Sequence, residues 1–170
     1  MGGNWDFLYI CEVDSFSETG YKLFYKTIIM YNFILKRRPL SFNNTNGKVQ
    51  YGNDLRSAFL AQNPTANRLT NNLYAIIYYF YNEYVGLDAD NLSKPVWDHL
   101  SGLAYDDDEQ IKIRTAGSFD LDQQDIDLLN FTGLSGSVVT DLLDAFDNED
   151  HIVYIEMGKF NESLFRFNIE

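Results

Sequence analysis

Apolar and aromatic residues along this chain gather in short blocks between polar stretches, and their spacing predicts both strands and helices. Residues 6–12 and 22–36 are dense in Phe, Tyr, Ile and Leu and read as strands, with Ser15 to Gly20 as a turn between them. Residues 37–53 are polar and contain Asn43-Asn44-Thr45-Asn46-Gly47, which reads as a loop. A short helix fits 53–62 on Leu55, Ala58, Phe59 and Gln62, ended near Pro64. Residues 73–84 are the strongest strand candidate, and their two apolar faces predict a central position in a sheet.

In the second half, Leu92, Val96, Leu100 and Leu103 recur at helical spacing and predict a helix over 91–103. Pro95 lacks the N–H that a helix interior needs, so it is expected in or near the first turn, with the helix starting close to Asp90–Leu92. Residues 110–116 read as a strand. Residues 121–130 and 137–146 read as helices, the second with Val138, Val139, Leu142, Leu143 and Phe146 on one face. Residues 151–157 and 163–169 would be closing strands. This mixture predicts an α+β fold with a single mixed β-sheet flanked by helices. No repeat and no Gly-, Ser- or Pro-rich linker divides residues 1–170, so one domain is expected.

Composition narrows the class. An apolar fraction of 45%, with 16% aromatic residues, argues against disorder despite the charge. Cys11 is the only cysteine, so no internal disulfide forms, and a cytoplasmic location is the default. The longest apolar run, from Leu73 to Tyr81, is far short of a bilayer crossing, and the start of the chain lacks the basic region of a signal peptide. No membrane association is expected. The net charge is −12, unevenly spread. Residues 1–84 hold 8 Lys+Arg against 6 Asp+Glu, whereas residues 85–170 hold 5 against 19. Nucleic acid rewards Lys and Arg, so the first half, with Lys36, Arg37 and Arg38, is the expected phosphate-facing part. A solvated turn is the plainer reading of those three cations.

The segment with candidate chemistry runs Asp88-Ala89-Asp90-Asn91-Leu92-Ser93-Lys94-Pro95-Val96-Trp97-Asp98, then Gly102, then Tyr105-Asp106-Asp107-Asp108-Glu109-Gln110. Asp88 and Asp90 are two apart at an extended strand end, so their side chains can point the same way. Asp90 also suits the N-cap of the following helix. Lys94 and Asp98 follow at one and two turns on nearly the same face, so Lys94 can also simply pair with Asp90 or Asp98. Clustered carboxylates repel unless a cation is present, and Mg²⁺ suits a few carboxylates and several waters. The aspartates at 106–108 could close such a site. A metal so held activates a bound water, and Lys94 would stabilise charge on a phosphoryl group.

Asp-x-Asp-Asn-Leu-x-Lys, an Asp four residues on, a Gly, and then Asp-Asp-x-Gln resembles the signature of the RusA-like Holliday junction resolvases. The resemblance implies that Asp88, Asp90 and Asp108 bind Mg²⁺ and that Lys94 assists catalysis, with Asp107 as a supporting position. Asn91, Asp98 and Gln110 match further motif positions without an assigned role. Pro39-Leu40-Ser41-Phe42-Asn43-Asn44 resembles the loop after the family's first strand, and the likeness covers 28–118 and the final strands. Residues 1–27 then form an N-terminal extension and 119–149 a helical acidic insertion. Where the family has a run of arginines before its first catalytic aspartate, this chain has Asn82-Glu83-Tyr84-Val85-Gly86-Leu87. The function implied is Mg²⁺-dependent endonucleolytic cleavage of branched DNA by a homodimer. The alternative is a weakly catalytic acidic module on the same fold that binds proteins or mimics DNA.

Three further features carry plainer readings. His99 and His151 have no ligand-spaced partner. The Tyr-rich stretch at 73–84 suits a core better than a base-stacking platform, and the acidic stretch 120–150 suits a solvated helical face.

Overall fold

A computed structural model describes residues 29–41, 46–83, 86–87 and 89–161. The strands expected at 6–12 and 163–169, the turn at 15–20 and the extension 1–27 lie outside the described residues. Among these residues four strands form one mixed sheet: β1 (Ile29–Leu35), β2 (Leu73–Tyr81), β3 (Ile111–Asp120) and β4 (His151–Lys159), in the order β1-β4-β2-β3. Three helices flank it, α1 (Lys48–Gln62), α2 (Ala89–Leu100) and α3 (Gly136–Asn148). The α+β fold with a single mixed sheet is therefore as the sequence predicts.

Strand direction accounts for the layering. β2 pairs with β3 in parallel, and β4 runs antiparallel to both β1 and β2, so β1, β2 and β3 share one direction. From β1 to β2 to β3 the chain moves steadily across the sheet through two helical crossovers. Crossovers of one hand place their helices on the same face. Accordingly α1 and α2 share one core with Phe33, Ala75, Ile77, Tyr79, Val153 and Ile155. α3 covers the other face through Val138, Leu142, Ala145 and Phe146, against Ile34, Phe80, Ile152 and Tyr154. β2 and β4 are buried on both faces, which explains the unbroken apolar run at 73–81.

Several local expectations change. α1 begins at Lys48 inside the stretch read as a loop, because Tyr51 already continues the buried row of Leu55 and Phe59 one turn earlier. Gly47, at φ 77°, supplies the left-handed turn from which that helix starts. Gly52 meets α2 so closely that an added Cβ would overlap the imidazole of His99. β3 runs on to Asp120, and the helix expected at 121–130 is only a short 3₁₀ turn, Ile126–Leu128. Asp120 shapes that departure by accepting from the backbone N–H of Asp122 and the side chain of Gln123.

Pro95 lies inside α2 rather than in its first turn. An interior proline costs a helix about 3 kcal/mol. Leu92, Val96, Trp97 and Leu100 are each almost fully buried, and each such side chain contributes about 1.5–3 kcal/mol. Packing therefore outweighs the proline.

The outer edge of β1 is closed by side chains. The Gln62 amide accepts from Ile34 N–H at 3.0 Å and donates to Ile34 C=O at 2.9 Å, while Asn63 Nδ2 donates to Asn32 C=O at 3.1 Å. These amides occupy the groups that another strand would use.

Glu156 is the one charged side chain buried among the described residues. It accepts from the hydroxyls of Tyr74, at 2.8 Å, and Tyr154. Burial, and then the Glu156 charge, push both phenols well above the usual tyrosine range. A raised folded pKa means stability that is complete below the unfolded value of about 10 and lost as pH rises past it. Urea midpoints should therefore fall above pH ~10, less steeply for Tyr154→Phe. At neutral pH that variant should be less stable by about 1–3 kcal/mol, because Glu156 loses a donor.

Candidate functional site

The chain leaves β2 at Tyr81 and enters α2 at Ala89. Asp88 and the side chain of Asp90 lie outside the described residues. The backbone of Asp90 is in the first turn of α2. Since β1 and β2 run the same way, Lys36, Arg37 and Arg38 leave β1 at the same end of the sheet. Carboxyl ends of parallel strands are where open sheets commonly bind ligands.

Lys94 stands one turn into α2, where its Nζ donates to Asp98 Oδ1 at 3.3 Å. This is the i,i+4 pairing that the helix spacing allows. Asp108 opens a 3₁₀ turn, Asp108–Gln110, whose cap is Asp107: its carboxylate accepts from Glu109 N–H at 2.8 Å. Asp107 thus shapes the turn that presents Asp108.

Gln110 fastens this turn to the rest of the fold. Its Oε1 accepts from the backbone N–H groups of Asp106 and Asp107, each at 2.8 Å. Its Nε2 donates to the carbonyls of Leu69 at 2.9 Å and Asn71 at 3.0 Å, just before β2. Both amide hydrogens and both oxygen lone pairs are engaged. A motif position without an assigned role in the sequence thereby acquires one: it ties the aspartate run to the approach to the central strand.

Two residues that the sequence did not single out complete the surroundings of Asp108. The hydroxyl of buried Tyr105 donates to the carbonyl of Trp97 at 2.6 Å and reaches Asp108 Oδ1 at 3.0 Å. Burial, then the charge of Asp108 and its hydrogen bond, push the Tyr105 phenol up, so it remains a donor. Arg114, on β3 opposite Ala75, brings Nη2 to 3.5 Å from Asp108 Oδ2. Their side chains are 36% and 39% exposed, and ion pairs this open are worth about 0–1 kcal/mol. Tyr105 precedes the Asp run and could have drawn notice. Arg114 could not, because its proximity depends on strand register.

Asp108 therefore packs beside the Trp97–Asp98 turn of α2, whereas Asp90 belongs to the first turn, about 10 Å of helical rise away. Lys94 lies between them. Among the described residues no three His, Cys, Asp or Glu side chains gather closely enough to hold a metal ion. The described carboxylates beside this face of α2, Asp98 and Asp108, are hard oxygen donors of the kind Mg²⁺ takes, each facing a cation of the protein.

The three predicted phosphate contacts are tied into the fold. Lys36 pairs with Asp144 of α3 at 3.1 Å, and Arg37 pairs with Asp54 of α1 with its guanidinium 5.3 Å over the Tyr51 ring. Arg38 acts on Tyr79, partly offsetting the burial that pushes this phenol up to about 12. His99, without ligand spacing in sequence, uses Nδ1 against the Pro95 carbonyl at 2.6 Å. His151 Nδ1 meets the Tyr79 hydroxyl at 3.0 Å.

No helix among the described residues is long and apolar enough to cross a membrane. Compared with known proteins, the chain matches no family model and has no significant match among curated sequences.

The Gln110 clamp makes two variants informative. Gln110→Ala should destabilise the fold by about 1–3 kcal/mol, read from urea unfolding. Gln110→Glu should cost more, because a carboxylate keeps the acceptors but faces the Leu69 and Asn71 carbonyls without donors. Equal stability of both variants with the parent would show that the clamp is ornamental.

Proposed function

We propose that this chain is a Mg²⁺-dependent endonuclease that hydrolyses phosphodiesters in branched DNA. In this reading Asp88, Asp90 and Asp108 are the Mg²⁺ ligands, which requires ion binding to draw Asp108 toward the start of α2. Lys94 stabilises charge on the phosphoryl group, and Lys36, Arg37 and Arg38 face the backbone. Two copies would cut opposed strands of the junction, in the cytoplasm. The observation that supports it most is the placement of the motif within one unit, β2–α2–β3. Lys94 and Asp98 lie on α2, while Asp108 is presented by a turn that Asp107 caps and Gln110 fastens.

The chemistry asked of these residues is modest. Bound Mg²⁺ would lower the pKa of a coordinated water and neutralise charge on a non-bridging oxygen. Lys94 would add a positive charge where the pentacovalent intermediate is most negative. Asp98 holds the lysine along the helix face in the meantime.

A second reading is favoured by the pairing of Lys36 with Asp144 and Arg37 with Asp54, which leaves those cations already matched by acid. In it the chain is an acidic module that binds basic proteins or mimics DNA. Salt dependence separates the two readings. A nuclease with several phosphate contacts loses junction affinity by roughly one unit of log–log slope per contact, measured in Ca²⁺ to block cleavage. Arg37→Ala with Arg38→Ala should flatten that slope. A decoy would show no junction binding at low salt and would retain a basic protein instead.

Cleavage tests the catalytic assignment directly. On labelled four-way junction with Mg²⁺, Lys94→Ala should lower turnover about 10²-fold or more while binding changes little. Asp108→Asn should abolish cleavage. Equal losses of binding and turnover in Lys94→Ala would make the lysine a phosphate anchor, and absence of cleavage by the parent protein on junction, flap, duplex and single strand would sink the nuclease reading.

A further inference from the structure

We propose that Asn46–Gly47 is a self-modifying site: the Asn46 side chain loses ammonia as it closes a cyclic imide with the Gly47 nitrogen, and hydrolysis leaves a carboxylate at the start of α1. This inference is independent of the nuclease reading and concerns two residues to which neither the motif nor its resemblance gives a role.

The reaction needs an amide nitrogen that can reach the preceding side-chain carbonyl carbon, and a side chain on the attacking residue would hinder it. Asn46–Gly47 is the only Asn-Gly pair in the chain. Asn46 is exposed, in the turn that leads into α1. Gly47 has φ 77°, and a Cβ built on it would meet nothing within 4 Å, so the ring has room to form. The first hydrogen bond of the helix runs from Tyr51 N–H to the Gly47 carbonyl at 2.9 Å, so the Gly47 N–H lies ahead of the helical ladder. By contrast Asn32, Asn53, Asn91 and Asn148 lie within strands or helices, and Asn63 precedes Pro64, which has no N–H to give up.

Each step balances with water alone. The deprotonated Gly47 nitrogen bonds to Asn46 Cγ, the bond from Cγ to the side-chain nitrogen breaks, and ammonia leaves. One water then opens the imide at either carbonyl. The product is aspartate, or isoaspartate with the main chain routed through the former side chain.

α1 is suited to receive that carboxylate. Gly47 has no side chain with which to cap, the first turn holds no acidic residue, and Lys48 places a cation at the positive end of the helix dipole. A negative charge just ahead of this turn offsets both. About one turn further on, Gln50 donates to Asp54 at 2.7 Å, and Arg37 pairs with Asp54 above the Tyr51 ring. The modification thus changes the charge near the residues that hold Arg37.

The whole chain, incubated at mildly alkaline pH, should gain about 1 Da in the peptide that carries residue 46 and become a methyl acceptor for an isoaspartyl methyltransferase. At mildly acidic pH the gain should slow, because attack needs the deprotonated nitrogen. Asn46→Gln, which would have to close a six-membered ring, should lose the reaction. Asn46→Asp should raise the thermal midpoint by about 1–4 °C at low salt, and salt should shrink that rise. A folded chain that stays unmodified at Asn46, while an isolated peptide of the same sequence reacts, would overturn the proposal. Equal or faster modification at asparagines followed by larger residues would do the same, since Gly47 would then not select the site. A lowered midpoint for Asn46→Asp would overturn the part given to α1.

Discussion

A strand buried on both faces cannot hold its place by alternating apolar and polar residues; it needs a layer on each side. β2 is such a strand, with Leu73, Ala75, Ile77 and Tyr79 facing one core and Phe80 the other. Its flanking strands must supply sheet, and its connections must supply cover. The same-handed crossovers through α1 and α2 provide one layer, and the return through α3 to antiparallel β4 provides the second. The candidate site inherits its position from this arrangement. α2 forms the crossover from β2 to parallel β3, so Lys94 and Asp98 are carried along the helix and Asp108 on the turn that precedes β3.

This arrangement separates two kinds of polar residue. Lys36 to Arg38 follow β1 at the carboxyl ends of the parallel strands, where a ligand can approach across the sheet's end. Those near the foot of α2, Asp98 and Asp108, sit against β3 beside Arg114.

What could be read from the chain and what could not follows from the range of each interaction. β2, α3 and β4 were legible because burial repeats along the chain itself. The early start of α1 was hidden: Tyr51 sits among polar neighbours, and its burial depends on the approach of α2 at Gly52. Pro95 departs from the local rule because the burial of Trp97 and its neighbours outweighs the cost of an interior proline. In the site, the Lys94–Asp98 pair follows from helix periodicity. The roles of Gln110, Tyr105 and Arg114 rest on contacts with Leu69, Trp97 and Asp108, made only after β2, α2 and β3 assemble.

The side-chain amides along the rim of β1 have a consequence for how copies of this chain could join. A sheet polymerises without limit only if each copy offers two open rims. Gln62 and Asn63 occupy one of them, and among the described residues β3 forms the other. Among the described residues, joining through β3 would leave the amide-occupied rim of β1 outermost in each copy. Replacing both amides would free the Ile34 and Asn32 backbone groups for a neighbouring strand, so two residues distant from the candidate chemistry guard this rim against edge pairing.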